Sequence, residues 1–143
     1  MRLAQILEAK GAEVVTTGPD TTIARIVALL VEHNIGAVVV VDGEAAVGIL
    51  SERDLLRFFA GDAPDPAGTR VADLMTRDLV TACPYDRVNR AMNVMTEKRI
   101  RHLPILDAGR LVGIVSIGDL VNALRRATEE ENVHLKTYIS TAG

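Results

Sequence analysis

The sequence predicts an α/β fold, α+β in its segregation of elements, made of two pseudo-symmetric β-α-β-β-α repeats packed through their sheets. Three observations predict it. GILSERDLL, starting at Gly48, returns as GIVSIGDLV starting at Gly113, 65 residues later. At that offset Val15 to Leu55 pairs with Val80 to Leu120 without a gap, with Thr16/Thr81, Pro19/Pro84, Asp42/Asp107, Ser51/Ser116 and Asp54/Asp119 identical. In each copy an amphipathic helical stripe is followed by an apolar strand and a returning strand. A repeat that cannot close its own core stacks against its copy, and such a pair has a natural cleft between its halves.

Taken in order, Leu3-Ala-Gln-Ile-Leu7 is echoed by Val71-Ala-Asp-Leu-Met75, with three extra residues in the first copy before the registers rejoin. Val14, Val15 and Thr16 are β-branched and are halted by Gly18-Pro19, which predicts a short strand. Asp20, Thr21 and Thr22 then supply helix-starting side chains. Ile23, Ile26, Val27, Leu30 and Val31 give the stripe of an amphipathic helix, repeated by Val88, Ala91, Met92 and Met95. Ala37 to Val41 is an apolar strand, Asp42-Gly43 a turn and Val47 to Leu50 the returning strand. Ser51 opens a second helix through Leu55, Leu56 and Phe59.

Gly61 to Gly68 is turn-rich, and the stretch from Ala127 to Tyr138 is charged and helical, with Glu129 to Glu131 as a solvated face. The expected organisation is repeat 1 at 1–60 with a leading helix at 2–10, a linker at 61–69, repeat 2 at 70–126 and a helical tail at 127–143.

Composition narrows the function. The 143 residues suit one domain, and 48% apolar content supplies a core. A net charge of −3 gives no global attraction for nucleic acid or an anionic membrane. The longest apolar run, Ile35 to Val41, is far below the ~18 residues of a membrane span. Glu8, Lys10 and Glu13 interrupt the N-terminal segment, unlike a signal peptide. Cys83 has no second cysteine to pair with, and His33, His102 and His134 lack metal-ligand spacing. No nucleophile–base pair or phosphate loop of the GxxxxGK type stands out. The expectation is a soluble, cytoplasmic, non-enzymatic chain without metal.

Ser51-x-x-Asp54 and Ser116-x-x-Asp119 carry two readings. Each has the spacing of a capping box at a helix start. Each also places a carboxylate, able to accept two hydrogen bonds from vicinal hydroxyls, beside helix N–H groups that favour phosphate. Lys98, Arg99, Arg101 and His102 form a basic cluster, in which Arg101 can grip a phosphate through two parallel bonds. The first-copy counterparts of Arg101 and His102, Gly36 and Ala37, cannot, so two sites in the chain are expected to be unequal.

The repeat ending in G-h-h-S-x-x-D-h, with h apolar, preceded by an apolar strand ending in Asp, resembles the cystathionine-β-synthase (CBS) domain. The tandem resembles the Bateman module, particularly small stand-alone bacterial signal-transduction proteins. RHLPILD (Arg101 to Asp107) and GILSERDL (Gly48 to Leu55) carry much of that likeness. The resemblance implies a regulatory sensor binding AMP, ADP or ATP between the repeats, with NAD(H) or S-adenosylmethionine as alternative ligands. It gives Asp54 and Asp119 the ribose hydroxyls and puts Ser51 and Ser116 near phosphate or ribose. Ile35-Gly36 and Ile100-Arg101 lie beside the base or phosphates, with His102 at the edge.

The same resemblance has Gly18 and Cys83 line the opposite wall. The Asp119 site borrows Gly18 and Ile23, and the Asp54 site borrows Cys83 and Val88. Arg53 is read either as a phosphate contact or as a solvated helix residue. A homodimer is implied too, joined through helices carrying Phe58, Phe59, Leu120, Val121 and Leu124, with an unknown downstream protein. A ligand-independent dimerisation scaffold is the rival reading.

Overall fold

The stripes and apolar runs fold into two copies of one arrangement in the computed structural model, which describes residues 1–11 and 13–142, with side chains as far as residue 133. The first copy comprises β1 (Thr16–Thr17), α2 (Ile23–His33), β2 (Ala37–Asp42), β3 (Ala45–Ser51) and α3 (Glu52–Ala60), preceded by α1 (Leu3–Lys10). A 3-10 turn (Val71–Asp73) leads into the second copy, α4 (Val88–Lys98), β4 (His102–Asp107), β5 (Arg110–Ser116) and α5 (Ile117–Ala142). The 26-residue α5 continues unbroken past residue 126, so the tail extends the helix that Ser116 opens.

β1 runs parallel to β2, which pairs antiparallel with β3; β4 and β5 repeat the second pairing. Both hairpins shift register at the same place, Val40/Val41 and Ile105/Leu106. The copies differ at their first strand. Thr16 pairs with Val39, but in the second copy only an isolated bridge, Ala82 to Ile105, remains. Pairing opposite Thr16 draws on the N–H of Val39, and its counterpart Pro104 has none to give.

The Thr22 hydroxyl accepts the Arg25 N–H and caps α2, whose Ile23, Ile26 and Leu30 are buried. Val31, expected in the stripe, is 75% exposed, because it lies at the edge of the buried arc. Both long helices end in the left-handed region, α2 at Asn34 (φ 50°) and α4 at its counterpart Arg99 (φ 55°).

The leading segments cross over. Leu3, Ile6 and Leu7 of α1 pack with Val88, Met95, Leu103 and Val115 of the second copy. Val71 and Met75 pack with Ile23, Ile26, Val38 and Leu50 of the first. The backbone repeats the exchange: Leu3 and Ala4 N–H donate to Asp86 and Pro84 carbonyls at 3.0 and 2.9 Å. Val71 and Ala72 N–H donate to the counterparts Thr21 and Pro19 at 2.7 and 3.1 Å. Each core is therefore completed by chain from the other half, and β3 meets β5 between them. Among the described residues no helix is long and apolar enough to cross a membrane.

Candidate functional site

A cleft of about 890 Å³ opens between the halves. The first copy contributes Gly36 and Ser51 to Asp54; the second contributes Thr76, Asp78, Val80, Lys98 to His102, Ser116 and Ile117. The two helix starts are held alike. The first N–H of α3, on Glu52, donates to the Gly36 carbonyl at 3.0 Å, and that of α5, on Ile117, to the Arg101 carbonyl at 2.9 Å. Both positive helix ends thus border one cleft, a setting that favours an anion.

Both S-x-x-D segments form their capping contacts. Ser51 N–H donates to Asp54 Oδ2 at 2.9 Å, and the Ser51 hydroxyl reaches the same oxygen at 3.2 Å. Ser116 N–H donates to Asp119 Oδ2 at 2.8 Å, while Asp119 N–H donates to Ser116 Oγ at 3.1 Å. These bonds use Oδ2 of Asp54 and leave Oδ1 without a hydrogen bond among the described residues, on a residue that lines the cleft. The capping and ligand readings are therefore compatible at that residue.

Arg99 and Arg101 line the cleft together with Arg53, whose Nη1 donates to the Arg99 carbonyl at 3.2 Å. An adjoining hollow of about 480 Å³, reaching Met95 and Thr96, shares Arg53, Arg99 and Arg101 with it. A cleft lined by both carboxylates and guanidinium groups suits a polar ligand with hydroxyls and an anionic group.

Gly36 is where the copies differ most. A Cβ there would lie 2.7 Å from Glu52 Oε1 and 3.1 Å from His102 Nε2, so the Glu52 carboxylate and the second copy's imidazole together fill the space that a counterpart of Arg101 would need at position 36. Burial pushes the His102 imidazole below its ordinary pKa, against the pull of Glu52 and Asp119. Burial also works against ionisation of Asp119, but Lys10 and Ser116 outweigh it and hold that carboxyl below the usual carboxylate range.

The cleft brings together Gly36, Ser51, Arg53, Asp54, Ile100, Arg101, His102 and Ser116. Other residues singled out in the sequence lie elsewhere. Val88 and Ile23 are core residues, 1% and 0% exposed, because each is the first buried position of its helix. Ile35 packs against the first core. Gly18 is exposed in a turn that accepts the Thr21 N–H, and Cys83 N–H is held by Asp86. The wall expected from Cys83 and Val88 is made instead by Thr76, Asp78 and Val80, because Thr76 pairs with Ile49 and carries this segment across the first repeat. Asp119 accepts Lys10 Nζ at 2.7 Å. Extending the echo between Leu7 and Met75 by three residues marks Lys10 and Asp78 as counterparts, a signal already present in the sequence.

A family model described as CBS domain matches residues 10–61 and 71–126. A mitochondrial CBS domain-containing protein of Arabidopsis thaliana is 40% identical over 125 residues, covering 84% of this chain; the chain spans 61% of that relative's length. The crystal structure of a CBS-domain containing protein from Agrobacterium tumefaciens is 40% identical with a TM-score of 0.83, covering 86% of this chain and 98% of that one. A CBS domain protein from Pyrobaculum aerophilum, complexed with AMP, is 26% identical with a TM-score of 0.75, covering 83% of this chain and 89% of that one.

Proposed function

This chain belongs to the CBS domain family and carries the domain twice, and on that premise we propose that it is a non-catalytic regulatory module. In this reading it binds an adenine nucleotide, AMP, ADP or ATP, between its repeats and signals occupancy through their relative pose to a downstream protein. The observation that carries the reading is the composition of the cleft. The Asp54 carboxylate offers an oxygen for ribose hydroxyls, two helix starts border the space, and Arg53, Arg99 and Arg101 line it with guanidinium groups suited to phosphate. The AMP complex of the Pyrobaculum relative supports an adenine-containing ligand. Because the ligand touches both halves, it can shift their pose by as much as it prefers one pose over another. A cytoplasmic homodimer is part of the same proposal.

A thermal-shift panel of AMP, ATP, NADH, S-adenosylmethionine and GTP tests it. A ligand at 100 times its Kd stabilises by about 2.7 kcal/mol, a readily measured rise in Tm. AMP or ATP is expected to stabilise, and Asp54→Ala to weaken that ligand at least tenfold, since a hydrogen bond to a charged group contributes about 1.5–3 kcal/mol. Stabilisation by NADH or S-adenosylmethionine alone replaces the ligand. Silence across the panel leaves a ligand-independent dimerisation scaffold.

A further inference from the structure

The two S-x-x-D carboxylates sit in unlike surroundings, and the crossed leading segments are the reason. Leu7 and Met75 fill equivalent spaces, each against the glycine of the returning strand, Gly113 and Gly48. Three residues farther on stand Lys10 and Asp78. Lys10 Nζ donates to Asp119 Oδ2 at 2.7 Å and to the Ile114 carbonyl at 2.8 Å, so the ammonium bridges the end of β5 and the start of α5. Its backbone is the last turn of α1, anchored by the buried Leu3, Ile6 and Leu7. At the first copy the corresponding place holds an acid, Asp78, which lines the open cleft, and among the described residues no cation pairs with Asp54.

We propose that Lys10 is an internal latch on the second carboxylate, so that the chain takes one nucleotide, at Asp54, and Asp119 is closed to ribose. This rests on the nucleotide reading given above. An ammonium and a ribose hydroxyl both make charge-assisted hydrogen bonds to a carboxylate, but only the ammonium brings a full opposite charge to it. Lys10 and the Ser116 N–H both hold Oδ2 of Asp119, so a ribose that takes both carboxylate oxygens must displace the ammonium and leave its charge unpaired at a partly buried site. The inequality expected from Arg101 and His102 against Gly36 and Ala37 thus acquires a second source, in the residue that ends the leading helix of the first repeat.

Titration calorimetry with AMP on the full chain tests the latch. Lys10→Met keeps the aliphatic stem and removes the ammonium. The wild-type chain is expected to bind one equivalent and Lys10→Met two, with Lys10→Met/Asp119→Ala returning to one. A second readout needs no ligand: the Asp119 carboxyl, followed by carbon NMR, should titrate at higher pH in Lys10→Met than in the wild type. Unchanged stoichiometry in Lys10→Met, weaker AMP binding in it, or an Asp119 that titrates alike in both chains overturns the latch while the nucleotide reading stands. If none of the chains binds AMP, the nucleotide reading fails and the latch falls with it.

Discussion

His102 is the residue at which the charges of the two repeats meet. Half-buried, it faces Glu52 from α3, Asp119 from α5, Lys10 from α1 and its neighbour Arg101. Burial dominates and lowers its proton affinity below that of an unfolded histidine, near pH 6.5. The unfolded chain therefore binds more protons than the folded one once the pH drops under about 6.5. The stability linked to a neutral His102 is fully present above that pH and is lost as the pH falls through the folded-state value. Asp119 does not confuse the measurement, because Lys10 and Ser116 keep it charged well below this window. Urea midpoints measured from pH 7.5 down to 5 should decline more steeply for the wild type than for His102→Gln. Parallel curves would mean that the imidazole titrates as freely in the fold as out of it.

At the scale of elements, the crossed leading segments make the two halves one folding unit. Gly113 and Gly48 test this most directly. A Cβ at Gly113 would come within 2.5 Å of Leu7 Cδ2, and one at Gly48 within 2.4 Å of Met75 Sδ. Overpacking of this kind costs about 1–3 kcal/mol. Gly113→Ala should lie toward the upper end, because the branched Leu7 has little room to turn. Gly48→Ala should cost less, because an unbranched thioether adapts. Adding Leu7→Ala to Gly113→Ala should give a smaller loss than the two single changes summed, a coupling visible in urea unfolding. Strict additivity would detach α1 from the second repeat.

The elements themselves were legible because helix stripe, apolar strand and turn recur at one offset, and the S-x-x-D pair marked both helix starts. The crossing was not legible. The echo of Leu3 to Leu7 in Val71 to Met75 gives equivalence between two segments, but not which half each one joins. For the same reason the sequence points to Cys83 and Val88, while Thr76, Asp78 and Val80 line the cleft. Hydrophobic pattern marked Val88 as apolar, and only packing distinguishes a core position from a cleft wall. The interrupted first strand of the second copy turned on one missing N–H, at Pro104, which a pattern of apolar residues does not register.

At the scale of the whole molecule, pseudo-symmetry separates residues that serve the core from those that serve an outer face. Leu55 and its counterpart Leu120 are buried, 8% and 0% exposed, each in its own repeat. The next positions, Leu56 and its counterpart Val121, are 71% and 44% exposed, and Phe59 is 46% exposed. Leu120 is therefore spent inside the chain, and Phe58 packs against the first core. Of the residues expected at a dimer face, Phe58, Phe59, Leu120, Val121 and Leu124, only Phe59 and Val121 are exposed, beside Leu56, which also lines the cleft. Two related helices presenting apolar side chains at the same register suit a second copy of this chain, because a two-fold interface uses one self-complementary patch twice. Val121→Glu would bury an unpaired charge in that contact, a change that costs several kcal/mol and should split the dimer. Val121 is already half exposed in the single chain, so the same substitution should leave the fold and its circular dichroism intact. Light scattering is expected to give twice 15.4 kDa for the wild type at micromolar concentration and the single-chain mass for Val121→Glu. A wild-type chain that scatters as a monomer removes the dimer and leaves Leu56, Phe59 and Val121 facing water.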